Sequence, residues 1–263
     1  MARLTEITDP NDARLAPFVG VRDRQTAGGD EFLCEGMLLV ERLLDSDLEV
    51  AAVLVAKGKV ERLRSRLDER DVEVLTARQE VLNATVGFNI HRGVIAAARR
   101  RPAVRAADLL ARSRRIAVLE GINDHENLGA IFRSAHALGM DGVLLDTTSG
   151  DPYYRRAVRV SMGATFSLPF ARVDRSQELL ELIHRAGFVS IALTPDSRAI
   201  SIDRFEVADL DRAALLLGAE GDGLRSKTLA AATVRVRVPI APGADSLNVG
   251  HAAAIAFQRL GLV

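Results

Sequence analysis

Cysteine occurs once in the 263 residues, as Cys34, so neither a disulfide framework nor a cysteine-based metal cluster can form within one chain. A lone thiol of this kind reads as a small core residue before it reads as a nucleophile. Long apolar runs are missing as well. No stretch of about 18 apolar residues occurs, and the chain does not open on a charged segment leading into an apolar one, so neither a membrane span nor a secretory signal is expected. A cytoplasmic protein without metal or membrane is the expectation. Net charge is a third absence, because 35 Lys and Arg balance 35 Asp and Glu. The balance holds locally, 17 against 17 up to residue 105 and 18 against 18 beyond it. That disfavours indiscriminate binding to phosphate backbones but leaves room for patches. Two arginine clusters stand out: Arg99, Arg100, Arg101 and Arg105 with Arg112, Arg114 and Arg115 beyond, and Arg155, Arg156 and Arg159. Solvated charge at a junction and on a helix explains them as well as a ligand does.

What the chain does have is alternation, over a length that accommodates two domains. In the first third, "CEGMLLVERLLDS" places Met37, Leu38, Val40, Leu43 and Leu44 at helical spacing, and the strand-like "LEVAAVLVA" follows. A charged helix "KVERLRSRLDER", a strand "VEVLTA", a short helix "RQEVLNATVG" and a strand "HRGVIAAAR" come next. Pro102 and a basic run then break the pattern in "RRRPAVRAAD", which predicts a small α/β/α domain over residues 1–105. The alternation restarts over 106–263 with the strand "RIAVLE", the helix "NLGAIFRSAHALG", the strand "DGVLLD", the helix "SQELLELIHRAG" and the strand "FVSIAL". The strand "AALLLG", a helix around "SKTLAAA", the strand "VRVRVPI" and a closing helix complete it. Strands separated by helices imply a mostly parallel sheet covered on both faces.

Three loops after apolar strands could carry chemistry. In "INDHENLGAIFRSAHALG", Asn127 suits a helix N-cap and Gly139 a left-handed stop. Leu128, Ile131, Phe132, Ala135 and Leu138 share one helix face there, with Arg133 nearly opposite; taken alone, such an arginine is a surface residue. In "LLLGAEGDGL", Gly218, Gly221 and Gly223 permit close approach or positive φ, and Glu220 among them either caps a turn or meets a ligand. Their spacing is not the G-x-G-x-x-G dinucleotide fingerprint, and they lie late in the sheet, which rejects a nucleotide-dependent oxidoreductase. In "VPIAPGADSLNVGHAAAIAF", Pro239, Pro242 and Gly243 shape a rigid loop before a helix that buries Val249, Ala252, Ala253, Ala256 and Leu260. Ser246 and Asn248 stand at its mouth, either as caps or facing a ligand.

In order and spacing, these three stretches resemble the three motifs of the SpoU (TrmH-like) family of RNA ribose 2′-O-methyltransferases. The linking segment "AVRVSMGATFSLPFARV" is similar too, so the resemblance runs from about residue 115 to the end. With "FLCEGMLLVERLL" and "HRGVIAAA", the first third resembles the L30e-like RNA-recognition domain that often precedes such a catalytic domain. The resemblance implies a trefoil knot in the C-terminal domain, an exception to unknotted topology. It implies a homodimer, S-adenosylmethionine as methyl donor, and an rRNA or tRNA substrate. By position, it implies catalytic roles for Asn127, Arg133, Glu220, Ser246 and Asn248, and places Leu193, Gly218, Val238, Ile240 and Leu247 where the family holds the donor. Gly250 and His251 depart from the commoner small Ser or Val after "SLNV", and Ala219 fills a position that is often polar. A guanidinium stays protonated and is a poor proton acceptor, so the expected task of Arg133 is to hold RNA phosphate and favour the alkoxide. The rival readings are a non-catalytic RNA-binding protein on the same scaffold and a methyltransferase acting on base atoms.

Overall fold

The computed structural model describes residues 2–19, 29–90, 93–174, 176–206 and 210–260. Its elements begin with β1 (Leu4–Ile7), β2 (Glu31–Glu35), α1 (Met37–Asp45), β3 (Val50–Ala56), α2 (Val60–Asp68), β4 (Glu73–Ala77), α3 (Gln79–Val86) and β5 (Val94–Arg99). They continue with α4 (Ala106–Ala111), β6 (Arg115–Glu120), α5 (His125–Ala137), β7 (Gly142–Asp146), α6 (Arg155–Val160), β8 (Phe170–Val173), α7 (Ser176–Arg185) and β9 (Val189–Leu193). The last are β10 (Ile200–Ser201), β11 (Ala213–Gly218), α8 (Ser226–Ala231), β12 (Val234–Arg237) and α9 (Val249–Leu260). Of the strand expected in "HRGVIAAAR", His91 and Arg92 lie outside the described residues.

The chain divides into two compact units, Met1–Arg101 with Tyr153–Phe166, and Pro102–Pro152 with Ser167–Val263. Helix α6 therefore packs within the first unit. That unit carries a sheet of order β1-β4-β3-β5-β2, in which β1, β4 and β3 run parallel while β5 is antiparallel to both β3 and β2. Along β3, Ala52 and Leu54 are buried in a cluster with Leu82 and Val86 of α3, and the alternate residues Val53 and Val55 are buried too. Both faces are thus covered, as near-continuous apolar strands require. Cys34 lies fully buried in β2, and burial raises its thiol pKa, which fits a core residue and not a nucleophile. Much of the arginine clustering is structural: Arg99 pairs with Glu49 at 2.8 Å, Arg101 pairs with Asp47, and Arg155 pairs with Glu35 beneath the Phe88 ring.

The second unit holds a sheet of order β10-β12-β9-β11-β6-β7-β8 in which every paired neighbour is parallel. All residues of β7 and β11 are buried. From β6 the chain builds outward through β7 and β8, then returns to the other side of β6 through β9 and β11. The strand order therefore reverses between β6 and β11, and open α/β sheets bind ligands outside the carboxyl ends of strands at such a point. Helix α9 presents Gly250, Ala253, Ala256, Phe257 and Leu260 as its buried face. Gly250, and not the expected Val249, makes the close contact: a Cβ there would stand 3.1 Å from that of Ala130 on α5. Among the described residues, no helix is long and apolar enough to cross a membrane.

Candidate functional site

The loops leaving β6 and β11 flank the switch point, and α9 begins beside them. Asn127 does not cap α5. Asp124 does, its carboxylate accepting from the amides of Glu126 at 2.9 Å and Asn127 at 2.8 Å. Asn127 lies inside the first turn, buried to 6% exposure, so its side chain is available to another partner. That partner is Asn248. The Asn248 Nδ2 donates to Asn127 Oδ1 at 2.7 Å and to Glu220 Oε1 at 2.8 Å, while its Oδ1 accepts the Gly250 amide at 2.9 Å and the His251 amide at 3.3 Å. One side chain thus caps α9 with its oxygen and joins the other two loops with its nitrogen. Of the two alternatives at the mouth of this helix, capping is realised, and by Asn248.

The remaining polar candidates stand apart from this triad. Arg133 is exposed on α5, and its side chain makes no hydrogen bond or ion pair with any described residue. Ser246 is likewise exposed and does not cap α9. Gly139 has φ 75° and ends α5 as expected.

The three glycines of "LLLGAEGDGL" divide the work of one turn. Gly221 and Gly223 take φ of 84° and 67°. Gly218 makes room for the returning chain, since a Cβ on it would lie 2.2 Å from the Gly223 carbonyl carbon and the Leu224 nitrogen. The Gly223 amide donates to Ala219 O at 3.0 Å, which closes the turn with Glu220 at its exposed tip. The approach allowed by Gly218 is filled by the protein's own backbone.

Of the apolar candidates, Leu193 ends β9, in register with Val236 on β12, and Val238 directly follows β12. Leu193, Val238 and Ile240 are half-buried, and Leu247 is 41% exposed. From Val238 to Leu247, the backbone bond present among described residues runs from the Ala244 amide to Ala241 O. The other main-chain groups of this loop make no hydrogen bond with a described residue, which leaves them to meet a ligand.

Sequence reasoning missed a buried acidic pair behind these loops, although "RIAVLE" and "DGVLLD" both close an apolar strand with a carboxylate. Glu120 ends β6 and accepts from the Arg225 amide at 2.6 Å and Thr228 Oγ1 at 2.5 Å. Asp146 ends β7, is 1% exposed, and accepts from the Gly121 amide at 3.1 Å, Thr148 Oγ1 at 2.6 Å, Ser149 Oγ at 2.7 Å and Arg225 Nη2 at 3.2 Å. Burial alone would raise the Asp146 pKa, but the bonds from Thr148, Gly121 and Ser149 and the Arg225 charge outweigh it and hold the carboxyl below its ordinary range. A depressed pKa adds stability above the unfolded value, about pH 4, and that stability is lost as pH falls through the folded value. Asp146→Asn is accordingly expected to cost about 2–3 kcal/mol at pH 7, with the gap to the wild type narrowing below pH 4. Urea denaturation at pH 7, 5, 4 and 3 measures this; a gap that stays constant across the series contradicts it.

A parallel sheet with a polar triad at its switch point defines a ligand-binding α/β scaffold. Residues 114–258 match the SpoU rRNA methylase family, and residues 33–103 match the family described as RNA 2′-O ribose methyltransferase substrate binding. The chain belongs to the SpoU rRNA methylase family. It is 41% identical over 261 residues to a protein of Mycobacterium bovis named an uncharacterized tRNA/rRNA methyltransferase, covering 97% of this chain and 90% of that one. It is 33% identical over 262 residues to the 23S rRNA (adenosine(1067)-2′-O)-methyltransferase of Streptomyces laurentii, covering 98% and 96%. Among solved structures, an AdoMet-bound rRNA methyltransferase from Sinorhizobium meliloti superposes with a TM-score of 0.84 at 23% identity, covering 97% of each chain. An RNA 2′-O ribose methyltransferase superposes with a TM-score of 0.77 at 28% identity, again covering 97% of each.

Proposed function

We propose that the protein transfers a methyl group from S-adenosylmethionine to a ribose 2′-hydroxyl of structured RNA, rRNA or tRNA. Family membership supports the reaction class, and the observation that carries the site is the Asn248 side chain joining Asn127 and Glu220 across three loops. The donor fits the chain in two respects. Leu193, Val238, Ile240 and Leu247 offer partly exposed apolar surface at the strand ends, and the backbone of the loop from Val238 to Leu247 is largely unbonded. Gly218 serves this site indirectly, by setting the turn beneath Glu220. When bound, the donor supplies an electrophilic methyl group on sulfonium, a reaction that needs no metal; among the described residues no metal-ligating cluster is present.

Positioning is most of what remains for the protein to do. Arg133, unengaged by the described residues of its own fold, holds an RNA phosphate and stabilises the developing alkoxide. Asn127, Glu220 and Asn248 fix the loops around the reacting oxygen, and Ser246, with no other bond among the described residues, contacts donor or ribose. In the same reading residues 1–105 form an L30e-like RNA-recognition domain and 106–263 the catalytic domain, whose C-terminal segment threads a trefoil knot. The enzyme acts as a cytoplasmic homodimer. The non-catalytic alternative finds no support, since Asn127, Arg133, Glu220, Ser246 and Asn248 are all present.

Incubating the protein with labelled S-adenosylmethionine and total RNA from cells lacking it tests the reaction. Label at one ribose is expected, and label on a base, or none, overturns the proposal. Asn248→Asp separates the two duties of that side chain. Aspartate caps a helix as well as asparagine does, so the melting temperature should stay within about 2 °C. It offers no donor to Asn127 and repels Glu220, so kcat/KM should fall about 10-fold or more. Unchanged turnover in that variant removes Asn248 from the site.

A further inference from the structure

Glu120 and Asp146 close neighbouring strands, Leu119 being in register with Leu145, so two buried carboxylates lie side by side. Such a pair is unfavourable without compensation. Among the described residues Arg225 is the cation bonded to either one, and it meets both: its amide donates to Glu120 and its guanidinium to Asp146. Arg225 follows the turn that carries Glu220 on its tip. Asp146 meanwhile holds the Gly121 amide, and Ser149, which donates to Asp146, accepts the Ile122 amide at 3.2 Å. Gly121 and Ile122 are the root of the loop leading to Asn127. Two loops from adjacent strands, the one leading to Asn127 and the one carrying Glu220, are therefore fastened at their roots to one buried anchor.

We propose that Arg225, with Asp146 and Glu120, is a positioning residue for methyl transfer: it fixes the distance between Glu220 and Asn127, so that Asn248 engages both at once. The inference rests on the methyltransferase reading for its kinetic consequence, though not for its geometry. Arg225 is about half exposed and its side chain lies outside the apolar core, so its replacement leaves a folded protein to measure. Arg225→Met keeps the amide on Glu120 and removes the guanidinium from Asp146.

Two readouts on the full-length protein test this. The first needs no activity. The side-chain amide pair of Asn248, assigned by comparison with Asn248→Asp in 15N-labelled protein, is expected to shift in Arg225→Met and to return toward the wild-type position in Arg225→Lys. An unmoved pair overturns the proposal. The second is a cycle on kcat with Glu220→Ala. Arg225→Met alone should lower kcat about 10-fold with KM for RNA changed less than about two-fold, the signature of misplaced groups and not of lost binding. In the Glu220→Ala background, where the acceptor for Asn248 Nδ2 is gone, the same change should cost less than about two-fold, because a residue acting through Glu220 has nothing left to position. A full 10-fold loss in both backgrounds overturns the proposal. If the wild type methylates no RNA, the methyltransferase reading fails, and the amide resonances alone decide whether Arg225 sets the triad.

Discussion

Alanine at position 218 is expected to cost the second unit about 3 kcal/mol or more, among the largest single effects in the chain. The added methyl would stand 2.2 Å from backbone atoms of Gly223 and Leu224, and backbone cannot rotate aside as a side chain can. Overpacking commonly costs about 1–3 kcal/mol where side chains relax, so a clash with main chain belongs above that range. The turn must open, which moves Glu220 at its tip, so methylation should be lost even in whatever fraction folds. Gly58 is the matched control, because a methyl group added there would meet nothing within 4 Å and its φ is ordinary; Gly58→Ala should stay within about 0.5 kcal/mol. Urea unfolding of both variants decides it, and a Gly218→Ala protein as stable as the wild type would show that the turn is not packed as described.

Arg133→Ala carries the largest effect on chemistry and almost none on stability. Because the Arg133 side chain bonds to no described residue, its removal should shift the melting temperature by about 1 °C or less. Donor affinity, measured by calorimetry, should be unchanged. Turnover should fall about 100- to 1,000-fold, as when a single group stabilising developing charge is removed. Arg133→Lys, which keeps charge but not the planar fork, should recover only part of it. Equal losses of donor binding and turnover would place Arg133 on the donor instead of the RNA.

These two residues also mark what sequence can and cannot reveal. Gly218, Gly221 and Gly223 read as conformational because only glycine tolerates close approach and positive φ, but which glycine does which depends on where the chain returns. Long apolar strands such as β6 and β11 match "RIAVLE" and "AALLLG" residue for residue, since a strand buried on both faces has no other reading. The short strands β1, β8 and β10 leave no such pattern, being two to four residues long with mixed burial. The antiparallel β5 is legible as a strand, but nothing in an apolar run encodes its direction. At the start of α5 the sequence suggests Asn127 as the cap, but the cap is Asp124. Asp124 wins because its carboxylate reaches two amides, and this frees Asn127 to meet a side chain 121 residues away. Local propensity carries no information about that meeting.

The central pairing of the second sheet joins Arg115 to Ala213 and Glu120 to Gly218, strands roughly 100 residues apart in the chain. During synthesis β6, β7 and β8 therefore emerge with one edge of β6 unpaired, and at about 5–20 residues per second the wait for β11 lasts roughly 5–20 s. Throughout that interval an apolar strand edge at the heart of the nascent catalytic unit is open to wrong partners. Ribosome pausing or chaperone supply should thus govern the yield of active protein more strongly than its final stability does.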